Sequence, residues 1–310
     1  MRTIDRRAFL QKTAAGLATA GVLASTMDRL RGDPLGLPIG LALYTVRDLM
    51  SQDVDGTLQK VAQIGYKEVE MYSFYDKPAA SLRKSLASAG LTCPSGMYPA
   101  AELVSGLPQK IDYLKELGIR YLVCPFPSTR SLIAGSTATP AESLSVINSM
   151  SVDDYKWLAD LLNRVGQQTH DAGIQFAYHA HNVEFRSVDG KAAFDRLLGW
   201  TDPALVKFEL DCYWVNRAGK DPLDYFHRFP GRFPLLHIKD MKAGQTPTTD
   251  VKQGGNAFVE VGKGVIDWKR IFGAAHLGGL EHYFVEQDKS EHPPLESARI
   301  SYEYLRSLKA

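Results

Sequence analysis

Asp153-Asp154-Tyr155-Lys156-Trp157-Leu158-Ala159-Asp160-Leu161-Leu162, continuing to Ala172 and then Gly173-Ile174-Gln175-Phe176-Ala177-Tyr178-His179, holds one complete structural unit. Apolar residues recur at helical spacing as far as Ala172, and Gly173 stops the helix. A short aromatic-rich run, Gln175 to His179, then reads as a buried strand that ends on a histidine.

The same grammar repeats on both sides. Strands are predicted at Ile39 to Tyr44, Glu68 to Tyr72, Leu91 to Gly96, Tyr121 to Cys124, Val206 to Asp211, Leu235 to Lys239 and Tyr283 to Glu286. Helices are predicted at Asp55 to Ile64, Ala79 to Ala89, Gln109 to Leu117, Ala192 to Leu198, Pro222 to Phe229, Trp268 to Ala275 and Leu295 to Leu308. Strands that alternate with helices run parallel, and closing eight of them on themselves leaves no edge, so the expected fold is a single-domain (β/α)8 TIM barrel over residues 34–310. An open doubly wound sheet is disfavoured, because no Gly-x-Gly-x-x-Gly turn follows the first strand. Two segments, Pro125 to Met150 and Met241 to Gly264, are longer than ordinary connections and follow strand C-terminal ends, where such barrels carry their active sites.

With 310 residues, 45% of them hydrophobic and 23% charged, the chain can bury a large core. The formal net charge is +1, but Arg2, Arg6, Arg7 and Lys12 against Asp5 concentrate +3 in the first 26 residues, leaving −2 on the rest. A mildly acidic body argues against nucleic acid as a partner, since that affinity comes from neutralising phosphates. Residues 1–33 are set apart as a signal and linker. Thr3-Ile4-Asp5-Arg6-Arg7-Ala8-Phe9-Leu10, followed by the apolar stretch Ala14 to Ala24, resembles a twin-arginine export signal, with Asp5 where Ser or Thr is usual. The implied destination is the periplasm, with no membrane span after signal removal. Cys93, Cys124 and Cys212 are far apart in apolar contexts and are expected to be buried thiols, not a disulfide framework.

The chemistry is expected at the ends of the last four strands. His179, Asp211, His237 and Glu286 each close a strand, separated by 32, 26 and 49 residues, about one or two strand–helix units apart. Any one of them could be a hydrogen-bonded structural residue or a helix cap; four at equivalent positions point to one divalent metal ion. Two histidines and two carboxylates suit Zn, Mn, Co or Fe(II) better than Mg, which prefers more oxygen ligands. Glu286 is the expected base, and His181 and Lys239, each two residues beyond a ligand, are further catalytic candidates. Tyr44, Arg47, Glu70 and Trp214 are candidates for substrate binding, with Glu70 on the pocket floor or wall and Trp214 as an aromatic wall beside Tyr213. The structural alternatives pair Arg47 with Asp48 and Lys239 with Asp240, and leave Tyr44 and Trp214 as packing residues. Glu209 and Glu184 are weaker candidates. His170, His227, His276, His282 and His292 are assigned to helices or connections.

Five segments carry a family likeness: Leu43-Tyr44-Thr45-Val46-Arg47-Asp48, Ile64-Gly65-Tyr66-Lys67-Glu68-Val69-Glu70, Tyr178-His179-Ala180-His181-Asn182, His237-Ile238-Lys239-Asp240, and Val261-Gly262-Lys263-Gly264-Val265-Ile266-Asp267-Trp268. From about Ile39 to Leu308 the chain resembles the xylose-isomerase-like superfamily of sugar (phosphate) isomerases and epimerases, which also holds inosose dehydratases and endonuclease IV. In the better-known epimerases the resemblance implies Glu, Asp, His and Glu as metal ligands. Asp211, His237 and Glu286 match, and His179 stands where the first glutamate would be. Those epimerases use both glutamates as acid and base, and here one is missing.

The leading expectation is a sugar isomerase or epimerase that works through a metal-stabilised enediolate on a small carbohydrate. The enzyme alternative is a lyase or dehydratase that eliminates water or a glycosidic oxygen from a keto-sugar, keto-glycoside or inosose; His179 in place of glutamate favours it. An endonuclease is disfavoured by the acidic body, and a sugar-binding protein without turnover is a third class. Further copies of the chain are compatible as partners. Gly262-Lys263-Gly264 marks where a phosphate loop could fold.

Overall fold

The computed structural model describes residues 33–134 and 136–308; the export-type segment ending before Asp33 lies outside them. Eight parallel strands form a closed barrel: β1 Ile39–Ala42, β2 Glu68–Met71, β3 Thr92–Met97, β4 Tyr121–Cys124, β5 Gln175–His179, β6 Val206–Asp211, β7 Leu235–Ile238 and β8 His282–Val285. Each strand pairs with its neighbours in sequence, and β8 pairs with β1 to close the ring. Every connection contains a helix, and two also carry a short antiparallel strand pair, Ser187–Val188 with Lys191–Ala192 and Asp240–Met241 with Phe258–Val259. Gly173 ends the helix Val152–Asp171 with φ +81, as its place before β5 predicts. Among the described residues no helix is long and apolar enough to cross a membrane.

Strand alternation divides the barrel's surroundings. Leu236 and Ile238 of β7 belong to the large core between strands and helices, with Phe176 and Tyr178 of β5 and Phe208 and Leu210 of β6. Leu235 points inward and packs with Ala42, Met97, Val123, Ala177 and Phe284. Burial on both faces is why these strands read as nearly continuous apolar runs. Inside the barrel space is tight: a Cβ on Gly40 would lie 2.5 Å from Phe284 Cδ1. At the N-terminal end His282 Nδ1 donates to Glu68 Oε2 at 2.6 Å, with Arg120 against the other ring nitrogen. His282 therefore opens β8 as a barrel-floor residue, where the sequence placed it in a connection.

Other differences are local. The predicted helix Gln109 to Leu117 is the last part of Ala100–Leu117, broken at Gly106 and carrying Pro108. β1 stops at Ala42, because Leu43–Val46 turns into a 3-10 helix that swings Tyr44 across the barrel mouth. Cys212–Arg217 turns helical directly after β6, capped by Asp211, whose Oδ1 accepts from the N–H groups of Tyr213 and Trp214.

The two long segments fold over the C-terminal mouth and meet. The first contains the helix Pro140–Asn148, opened by a capping box of Thr139 and Glu142; the second contains the short helix Val251–Gly254. Asn148 Nδ2 donates to Asp250 Oδ1 at 2.6 Å, and its Oδ1 accepts from Val251 N at 3.0 Å. Asn182 Nδ2 holds the carbonyls of Thr248 and Asp250 from below, both at 3.0 Å. Cys93, Cys124 and Cys212 are buried and free, as expected.

Phe284 sits at the centre of the inner cluster, fully buried. Phe284→Ala is expected to lower the unfolding free energy by about 3–5 kcal/mol through lost burial and an unfilled cavity. Denaturant titration measures it; a loss below about 1 kcal/mol would mean that the barrel interior collapses to fill the gap.

Candidate metal centre and active-site cleft

The register that closes the barrel also assembles the site. His179 of β5 lies opposite Glu209 of β6, and Asp211 of β6 lies opposite His237 of β7. Because Glu209 and Asp211 are two residues apart on one strand, both face inward. Ala42 of β1 and Ser95 of β3 flank Glu70 of β2 in the same way.

Two carboxylates lie beneath the histidines and fix their rings. His179 Nδ1 donates to Glu209 Oε2 at 2.8 Å, which turns its Nε2 toward Asp211 Oδ2, 3.9 Å away. His237 Nε2 donates to Glu70 Oε2 at 2.7 Å, which leaves Nδ1 facing Asp211 Oδ2 at 3.9 Å and Glu286 Oε2 at 3.0 Å. Ser95 Oγ holds the other oxygen of Glu70 at 2.5 Å. Burial pushes Glu70 and Glu209 up to about 7 each; the charge of Glu209 adds to the rise at Glu70, a hydrogen bond with Glu70 relieves Glu209, and His237 relieves both.

His179, Asp211 and His237 offer ligand atoms that all lie within 4.8 Å of one another. Asp211 Oδ2 is buried, with two imidazole nitrogens facing it and the Lys239 ammonium 3.1 Å away as its charge partner. Ligand atoms on a tetrahedral zinc are about 3.4 Å apart, given bonds of about 2.0–2.1 Å, and Asp211 Oδ2 at 3.9 Å from each imidazole nitrogen lies about half an ångström outside that spacing. The residues therefore fit a divalent metal, with Glu286 Oε2 beside His237 able to complete it. Glu70, Glu209 and His237 form a second acidic group within 4.8 Å. Its two carboxylates are fully buried below the first set and line no cleft, so they serve it by orienting its histidines.

Lys239 is the most unusual charge in the barrel. Only 1% exposed, its Nζ lies 2.7 Å from Glu286 Oε2, 3.1 Å from Asp211 Oδ2 and 3.0 Å from Asp288 Oδ2. Burial alone would lower its pKa, but Asp211, Asp288 and Glu286 outweigh it and hold the ammonium charged. Burial likewise raises Glu286, and Lys239 and His237 reverse this and keep it well below the usual carboxylate range. Burial and the neighbouring His237 push His179 down to about 4, and burial next to His179 pushes His181 well below its usual value. His179 and His181 are thus neutral, the state in which imidazole binds metal. His237 goes the other way: burial alone would lower it, but Glu209, Glu286 and Glu70 outweigh this and hold it well above the usual imidazole value.

Above this floor opens a cleft of about 620 Å³. His179, His181, His237, Glu286 and Asp288 face it, together with Tyr44 and Trp214. His181 stands just past the end of β5, its ring 4.8 Å from His179 and 5.2 Å from Trp214, and its buried Nδ1 has no partner. Its N–H is held by Glu184 Oε2, and Glu184 Oε1 accepts from Tyr178 Oη.

Several expectations are corrected here. Glu70 does not line the cleft; it is buried under His237 as that ring's hydrogen-bond acceptor. Arg47 does not line it either, and its partner is not Asp48: it donates to the carbonyls of Tyr44 and Asp288 and stacks 4.3 Å from the Tyr44 ring. It ties the turn after β1 to the segment after β8. Lys239 turns inward and leaves Asp240, which gathers Met241 N, Gly262 N, Gly264 N, Ile266 N and Trp268 Nε1 on its carboxylate. The amides of Gly262 and Gly264 thus bind a carboxylate of the chain itself, where the sequence left room for a phosphate. Tyr213 supplies no wall: it is buried and donates to Gly254 O at 2.6 Å. Glu209 has a larger part than its weak rating. Its signal was available, since a carboxylate two residues before Asp211 on an apolar strand must share that ligand's face. Asp288, Phe126 and Phe258 had no comparable signal.

With this geometry in place, the chain's relationships become informative. It belongs to the xylose isomerase-like TIM barrel family, whose model matches residues 58–308. An inosose dehydratase of Geobacillus thermodenitrificans is 25% identical over 268 residues, 80% of this chain and 87% of the relative. A sugar phosphate isomerase/epimerase from Parabacteroides distasonis superposes with a TM-score of 0.69 at 23% identity, covering 87% of this chain and 98% of that one. The IOLI protein, crystallised with a zinc atom, has a TM-score of 0.62 at 14% identity over 86% of this chain and 96% of its own. At these identities the solved structures share the barrel.

Glu209→Gln keeps the size of the side chain but weakens the acceptor that fixes His179. It is expected to reduce divalent-metal affinity about 10–100-fold while the barrel still folds cooperatively. Competition titration against a chelating dye measures this; affinity equal to the parent's would mean that the ring is held by packing alone.

Proposed function

We propose that the chain is a metal-dependent lyase that eliminates water or an alcohol from a keto-sugar or inosose. The observation that carries this is the one-sided placement of the carboxylates. Among the described residues the carboxylates that line the cleft are Glu286 and Asp288, both from the end of β8. Epimerisation removes a proton from one face of a carbon and returns one to the other face, so it needs two groups on opposite sides. Elimination on a single face needs one. Glu286 takes the proton next to the carbonyl, the electron pair moves to form the carbon–carbon double bond, and the departing oxygen leaves from the adjacent carbon. The proton that Glu286 holds can go to that oxygen, so water or an alcohol departs and the carboxylate is regenerated.

A divalent ion on His179, Asp211, His237 and Glu286 would supply Lewis-acid stabilisation of the negative charge that grows on the carbonyl oxygen. The remaining residues have distinct tasks. Lys239, held charged 2.7 Å from Glu286 Oε2, keeps that carboxylate ionised and ready to accept. Its ammonium also limits the repulsion among Asp211, Glu286 and Asp288. His181 offers a neutral ring with a free, buried Nδ1 to a substrate hydroxyl, and Tyr44 and Trp214 bound the sugar's apolar faces. The dehydratase relative supports elimination, and the zinc-bearing IOLI protein supports a metal on a barrel of this kind. The isomerase/epimerase alternative is kept in view by the Parabacteroides structure. The exported location remains part of the proposal on sequence grounds alone.

Proton NMR of keto-sugar and inosose substrates in heavy water distinguishes the outcomes: an unsaturated product is expected, whereas a saturated isomer with solvent deuterium would establish the epimerase. Glu286→Gln is expected to cut turnover about 10²–10⁴-fold, a barrier increase of about 3–5 kcal/mol, with exchange of the α-proton falling in parallel. A variant that exchanges that proton at the parent rate would leave Glu286 as ligand only.

A further inference from the structure

The metal-ligand residues occupy half of the barrel mouth, the ends of β5 to β8. The other half is different in kind. Tyr44, Tyr72, Met97, Pro99, Pro125 and Phe126 follow β1 to β4 and line the same cleft without a single charged group. Tyr44 and Tyr72 meet edge to face at 5.2 Å, and Phe126 packs against His181 at 4.5 Å, which makes the apolar arm continuous with the catalytic half. Leu144 and Val251, from the two long segments, roof it.

Size makes the same point. A hexose fills about 180 Å³, while pockets of several hundred Å³ hold ligands of about twice its size or more. The cleft measures about 620 Å³, so a lone sugar at the metal would leave most of an apolar arm open to water. We propose that the natural substrate is a sugar ketone carrying a ring-sized apolar substituent, which lies in the arm between Tyr72, Phe126 and Leu144 while the sugar meets the metal half. The catalytic half can select a ketone and a hydroxyl; only the arm can select what is attached to them. Where the substituent is joined through the oxygen expelled, the elimination described above releases it as an alcohol or phenol and leaves the unsaturated sugar ketone, with no oxidant or reductant required.

This inference rests on assigning the metal half to sugar chemistry, and its test separates the two. Binding of methyl and phenyl β-glucosides, unreactive because they lack the ketone, is followed on the metal-loaded full chain by isothermal titration and by competition with turnover of a keto-sugar. The phenyl glucoside is expected to bind about tenfold tighter or more, as burial of an aromatic ring provides. Phe126→Ala should remove most of that preference and leave methyl glucoside affinity nearly unchanged. Leu144→Trp, which fills the arm from a partly exposed position on the roof, should do the same without disturbing the barrel core. Equal affinity for the two glycosides in the parent, or a preference untouched by both variants, overturns the apolar arm as a substrate subsite even where elimination is observed. Absence of the unsaturated product, with the phenyl preference intact, overturns the lyase and leaves the arm standing.

Discussion

Two buried hydrogen bonds, Glu209 to His179 and Glu70 to His237, are the constraint on which this site depends. A carboxylate removed from water costs several kcal/mol unless it is paired and hydrogen-bonded, so each of these is tolerated only because an imidazole N–H meets it. The requirement runs in both directions. Each ring, held through one nitrogen, presents the other nitrogen upward, and both then face the same oxygen of Asp211, which Lys239 also reaches. The donor set is thereby oriented before any ion arrives.

Asp240 is the second hub, and it explains a motif that lacks chemistry of its own. Its carboxylate binds four backbone N–H groups and the Trp268 indole, folding the segment from Gly262 to Trp268 around one buried anion. Gly264 has no alternative there, since a Cβ would meet Asp240 Oδ1 at 2.2 Å. With Asp240 facing outward into that loop, alternation along the chain sends Lys239 inward to the carboxylates. One residue anchors the lid segment and its neighbour tunes the site, so the two roles are fixed together. Arg217 extends the anchoring by donating to the carbonyls of Thr246, Gln253 and Gly254.

The mouth of a barrel offers eight strand ends, and this chain divides them. The late strands carry the ligands and charges, while the early strands carry Tyr44, Tyr72, Met97 and Phe126. Polarity is therefore laid out across the cleft, and a bound molecule must match it: oxygen-rich at one end, carbon-rich at the other. The same division places both lining carboxylates on one wall, which is why single-face chemistry suits the site better than a symmetrical two-base reaction.

Much of the ligand set was legible in the chain alone. Short apolar runs identified the strands, glycines such as Gly173 marked the helix ends, and four polar residues recurring at strand termini named His179, Asp211, His237 and Glu286 as candidates. These signals are local, because strand and helix periodicity is written within a few residues. The partners of those residues could not be read in this way. Glu70 is 167 residues from His237 in sequence, and Lys239 is 49 from Asp288. Their pairing is set by closure of the ring and by the register between strands, quantities that no short window contains. Sequence determined which strands end in candidate ligands; the tertiary structure decided which carboxylates hold them, which way Lys239 turns, and how the cleft divides, because buried charges are assigned partners only when distant strands are brought side by side.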